Sequence, residues 1–97
     1  MLNLNEVDQL ATSAASKALK RVGVTRVFSA TTVTWDGDEA LSVTIVQPRN
    51  SSAVTGREAN TALVDISQEL QRRGDSRFPI TTITTEEEME SHDDSES

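Results

Sequence analysis

Few side chains in this chain are suited to chemistry. It has no cysteine and no tyrosine, and its single histidine, His92, lies among acids in the run His-Asp-Asp. Thiolate nucleophiles, thiolate zinc sites and a histidine base in the folded part are thereby excluded. Carboxylates and guanidinium groups remain. Asp36, Asp38 and Glu39 crowd three acids around Gly37 in the manner of a calcium loop. An EF-hand loop, however, alternates oxygen ligands over about twelve residues and ends in Glu. Residues 40–47 read as a strand instead, so these acids belong to a turn. Glu58, Asp65 and Glu69 fall on the solvated side of a helix, and no two of them stand out as a general acid and base. No metal site and no cofactor are expected.

The arginines offer more. Arg72, Arg73 and Arg77 follow one another closely, and with Arg49 they could form a patch for phosphate or an acidic partner segment. The plainer explanation is complementarity to the negative end of a helix. Ser51, Ser52 and Thr55-Gly56-Arg57 place hydroxyls and amides at a helix start, where an anion could sit. Capping explains them equally well, and the Walker spacing of two glycines before Lys-Ser/Thr is missing. Trp35, the only tryptophan, falls at a strand end beside a turn. It serves either to cap the core or to anchor a partner.

The net charge of -7 is segregated. Residues 1–85 carry nine bases and nine acids, which balance, whereas residues 86–97 hold seven acids and no base. A neutral domain therefore carries a polyanionic tail. Nucleic-acid binding is disfavoured by the neutral domain, the shortage of aromatic platforms, the repulsive tail and the lack of a Gly-x-x-Gly loop. Residues 1–22 contain no apolar run of signal-peptide length, and nothing approaches the ~18 to 20 apolar residues of a membrane span. No membrane association is expected. The lack of cysteine suits a reducing compartment, and a cytoplasmic protein of a small bacterial type is the expectation.

Leu4, Val7, Leu10, Ala11, Ala14, Ala18, Leu19 and Val22 recur at helical spacing. With Asn3 or Asn5 to cap and Gly23 to stop it, this pattern predicts a helix over 4–22. Val24 to Trp35 is β-branched and aromatic, Asp36-Gly37 is a hairpin-turn dipeptide, and Leu41, Val43 and Ile45 alternate with Ser42 and Thr44. These features predict a hairpin, with a bulge near 29–32 to reconcile the parity of Phe28 and Ala30 with that of Val27, Val33 and Trp35. Thr55 to Glu58 fits a capping box for a second helix that ends at Arg72-Arg73-Gly74. Residues 78–84 read as a short third strand, with Pro79 suited to an edge. Thr85 and Glu88 fit one further helical turn, and acidic, serine-rich sequence beyond Ser91 is expected to be disordered.

The expected architecture is α+β: two helices packed on one face of a small antiparallel sheet, in the order α-β-β-α-(β). It comprises one domain over 1–85 and a disordered acidic tail over 86–97. Such a sheet has open edges and an uncovered second face rich in Ser and Thr. The expected function is a non-catalytic interaction module, either a homodimer or a protein bound to a protein partner, with Trp35, Arg49, Arg72, Arg73 and Arg77 as candidate binding residues. Two alternatives stay open. One is an antitoxin-like or inhibitor protein that neutralises a basic partner through its tail. The other is a small enzyme or anion-binding domain that uses Arg49, Arg72 and Arg73.

Overall fold

The computed structural model describes the backbone of residues 1–94 and the side chains of residues 1–90. Helix α1 spans Leu4–Ala18, strands β1 and β2 span Arg26–Val33 and Glu39–Gln47, helix α2 spans Gly56–Arg72, strand β3 spans Phe78–Thr85 and helix α3 spans Glu86–Asp94. No helix among the described residues is long and apolar enough to cross a membrane.

Local chemistry accounts for the element ends. The Asn3 side chain accepts from the Glu6 N–H at 2.8 Å while Glu6 accepts from the Asn3 N–H at 3.1 Å, a reciprocal box that starts α1. Thr55 and Glu58 repeat the arrangement at the start of α2. Helix α1 stops four residues short of the predicted Val22. The Gly23 N–H returns to the Leu19 carbonyl at 2.7 Å with Gly23 at φ +87°, so the last predicted turn forms the stop itself. The hairpin closes where Thr34 donates to the Asp38 carbonyl at 2.8 Å and Gly37, at φ +93°, takes the left-handed position of the turn.

Strand β2 is central, in the order β1-β2-β3. Leu41, Val43 and Ile45 are fully buried against Val7, Leu10, Ala11 and Ala14 of α1 and Ala62, Ile66 and Leu70 of α2, so both helices lie on one face. Three expectations need correction. The sheet is mixed: β1 pairs antiparallel to β2, but β3 runs parallel to it, with Phe78 opposite Ala40 and Thr85 opposite Gln47. A helix inserted between two neighbouring strands returns the chain to the end where it started, which aligns them. The register of β1 against β2 is unbroken from Arg26↔Val46 to Val33↔Glu39, so there is no bulge. Phe28 and Ala30 simply face away from the helices. Finally, the turn expected at Thr85 and Glu88 forms, with Thr85 accepting from the Glu88 N–H at 3.2 Å, but the helix it starts runs over Glu86–Asp94, through residues assigned to a disordered tail. Residues 95–97 of that expected tail, and the side chain of His92, lie outside the described residues.

Candidate functional site

With α1 and α2 on one face, the strict alternation of β-strands sends every second residue to the other. The registers arrange twelve such residues in four rows: Arg26, Val46 and Thr84; Phe28, Thr44 and Thr82; Ala30, Ser42 and Ile80; Thr32, Ala40 and Phe78. About a quarter of the chain is charged, yet Arg26 is the only charged residue of the twelve. Arg26 is itself neutralised, with its guanidinium 3.5 Å from the Glu86 carboxylate and 5.6 Å from the centre of the Phe28 ring. Phe28, Ile80 and Phe78 stay 37%, 39% and 57% exposed on this face, a cost in water that isolated surface residues avoid. At the hairpin end of the same sheet Trp35 is 99% exposed. It therefore caps no core.

The other predicted site residues do not converge. Arg49 follows the end of β2, whereas Arg72 and Arg73 end α2 and precede the start of β3; because β2 and β3 are parallel, these positions lie at opposite ends of the sheet. Arg72 is held by Glu69 at 2.6 Å and Arg73 by the same carboxylate at 3.8 Å. The hydrogen bond from Arg72 holds the Glu69 carboxyl below its ordinary range. Both arginines line an open groove of about 320 Å³ between α1 and α2, shared with Lys17, Asp65 and Gln68. Arg49 pairs with Glu90, and the Asn50 N–H donates to Glu87 at 2.9 Å, so the first turns of α3 fold back on the loop after β2.

Arg77 is corrected outright as a binding residue. Its side chain is 6% exposed and sits in a bidentate pair with Asp75, which is fully buried, at 2.5 Å and 3.0 Å. Asp75 also accepts from the Leu2 N–H at 3.2 Å, and Arg77 donates to the Leu2 carbonyl at 2.9 Å. The pair thus fastens the chain ahead of α1 to the start of β3. Hydrogen bonds from Arg77 push the Asp75 carboxyl well below the carboxylate range, against the opposing effect of burial. A second pair ties the turn after α1 to the start of α2: Arg21 grips Glu58 at 2.7 Å and 3.0 Å and donates to the Ala53 carbonyl at 3.1 Å. That grip, with the capping bond from the Thr55 N–H, lowers the Glu58 carboxyl to about 2.

No protein-family model, curated protein or solved structure matches the chain. The functional reading therefore rests on these surfaces alone. Among the described residues no cluster of three or more His, Cys, Asp or Glu is placed to hold a metal ion. Phe28, Ile80 and Phe78 are the face residues not singled out from the sequence, although its Ser/Thr-rich character was legible. The missed signal was the phase of β1: counting back from the turn puts Phe28 opposite Thr44, on the polar side of β2.

Proposed function

We propose that the protein is a small non-catalytic interaction module that associates with a second copy of itself through the uncovered face of its sheet. The observation that carries this reading is the near-absence of charge on that face, one neutralised Arg26 among twelve residues, together with the exposure of Phe28, Ile80 and Phe78. A face meant for water would carry the charges that the rest of the chain carries freely. A neutral, threonine-rich face also meets its own copy without bringing like charges together, as a two-fold interface requires.

The acidic segment is a weaker docking element. Glu86, Glu87 and Glu90 are engaged by Arg26, Asn50 and Arg49 of the same chain, so a basic partner would have to displace them first. The groove beside Arg72 and Arg73 is weak as an anion site too, because Glu69 already occupies both guanidinium groups. The test is Ile80→Glu, which sets a carboxylate on the edge strand β3, in one of the two middle rows of the face, at an exposed position. Sedimentation equilibrium should show a dimer for the unaltered chain and at least a tenfold weaker association for the variant, a change of about 1.4 kcal/mol. Equal association of both, or a monomer for both, refutes the proposal.

A further inference from the structure

The two edges of the sheet are not alike. Natural edges carry devices against pairing with another strand: proline, charge, a bulge or a covering segment. Strand β3 has Pro79, which has no N–H to donate. Strand β1 has none of these from Val27 to Val33: no proline, no charge, and a register unbroken by a bulge. Its outward groups follow from the ladder. Thr34 donates to the Asp38 carbonyl in the bonded pair that closes the hairpin, and antiparallel pairs alternate between bonded and non-bonded. Arg26, Phe28, Ala30 and Thr32 therefore turn their N–H and C=O groups towards β2. Val27, Ser29, Thr31 and Val33 turn theirs to the open edge. Among the described residues no turn, loop or cap bonds to that row.

The free row is complementary to itself. Turned about a two-fold axis normal to the sheet, β1 of a second copy runs antiparallel to the first. Three conditions select the same register, the one centred on Ala30. The first is hydrogen bonding. That register sets Val27 opposite Val33 and Ser29 opposite Thr31, so every outward N–H and C=O of both strands is bonded. A shift one way pairs Val33 with Thr25, whose N–H is already spent on the Val46 carbonyl at 2.7 Å; a shift the other way pairs Val27 with Trp35, in the turn. The second is sequence. About Ala30 the strand reads nearly alike from both ends: Ser29 with Thr31, Phe28 with Thr32, Val27 with Val33. Hydroxyl pairs, aromatic with β-branched pairs and β-branched pairs are all favourable across strands. The third is exposure. Helix α1 lies over the first half of β1, where Asp8 accepts from the Ser29 hydroxyl and Val27 is half-buried, but leaves Thr31 exposed and Val33 64% exposed. The covered half of each copy thus meets the open half of the other, and the two α1 helices are offset to opposite ends.

We infer that β1 pairs antiparallel with β1 of a second copy, centred on Ala30, and continues the three-stranded sheet into one of six strands. This contact uses the edge of the sheet, not its face, and does not rest on the self-association proposed above. Its eight residues a side fall well short of the ~20 to 30 of a stable interface, so it is the weaker contact and forms above the micromolar range. Disulfide trapping suits such a contact, and the absence of native cysteine permits it. In the inferred pair Ala30 lies opposite itself at a non-hydrogen-bonded position, where Cα atoms are ~4.5 Å apart. A disulfide spans ~4.4 to 6.8 Å between Cα atoms. Sheets packed face to face lie ~10 Å apart, out of that reach.

Ala30→Cys, Phe28→Cys and Thr32→Cys are each introduced into the full chain carrying Ile80→Glu, which weakens the face contact. They are checked by circular dichroism and oxidised over the micromolar to millimolar range. Ala30→Cys should form a disulfide-linked dimer roughly tenfold faster than either of the others alone, because residues 28 and 32 lie ~13 Å from their own counterparts in the pair. An equal mixture of Phe28→Cys and Thr32→Cys should regain the fast reaction in up to about half of its chains, the statistical share of mixed pairs. Equal rates for the three single variants, or a fast disulfide at residue 28 or 32 alone, overturn the inference. So does a mixture that reacts no faster than its components. None of these results bears on the face contact, which sedimentation of the chain without cysteine tests separately.

Discussion

Replacing Asp75 with alanine should severely destabilise this protein, although no part of the proposed interface is touched. The substitution strands the Arg77 guanidinium, 6% exposed, without its bidentate partner and removes the acceptor of the Leu2 N–H. Breaking a buried pair from one side costs about 3 to 5 kcal/mol, because the surviving charge keeps its desolvation penalty and loses its compensation. Net stability of a native domain is about 5 to 15 kcal/mol, so the loss consumes a large share of it. At roughly 4 to 8 °C per kcal/mol, Tm should fall by at least about 12 °C. Far-UV circular dichroism is the appropriate signal; Trp35, already 99% exposed in the fold, reports little by fluorescence. The double variant Asp75→Leu, Arg77→Met should recover most of the loss, since no charge is left buried. The pair also imposes an acid limit. The Asp75 carboxyl is held below its unfolded value, so its contribution is complete above about pH 4 and is lost as pH falls from there towards the folded value. A loss below about 1 kcal/mol for Asp75→Ala, the scale of an exposed pair, refutes the reasoning.

Arg21→Ala should raise the Glu58 carboxyl from about 2 towards the ordinary ~4.3, visible in a carboxyl-carbon NMR titration; an unchanged midpoint would show that the Thr55 cap alone sets it. Removing residues 86–97 should cost no more than about 1 kcal/mol in urea denaturation, because Arg49 and Glu90 form an exposed pair and the half-exposed Arg26 guanidinium returns to water when Glu86 is removed. A loss of several kcal/mol would make α3 part of the folding unit.

What the sequence disclosed was what depends on near neighbours. Both capping boxes, the Gly37 turn and the alternation of β2 are set within a few residues, and each was readable. The direction of β3 was legible in principle, since a strand, a helix of 17 residues and a strand form a crossover unit. Arg77 was not legible as a structural residue, because its partners include Leu2, 75 positions away. The same holds for the acids of α3, whose basic partners lie on β1 and in the loop after β2. As for the site, the uncovered face and Trp35 could be named in advance, but its neutrality emerged only when the register sorted twelve residues from three strands onto one side.

The central claim is that the neutral sheet face exists to meet another copy. Sedimentation equilibrium of the full chain over the micromolar range, beside Ile80→Glu, tests it most directly. The account predicts a dimer that the variant converts towards monomer; a chain that remains monomeric throughout, or a dimer indifferent to a carboxylate at residue 80, contradicts it.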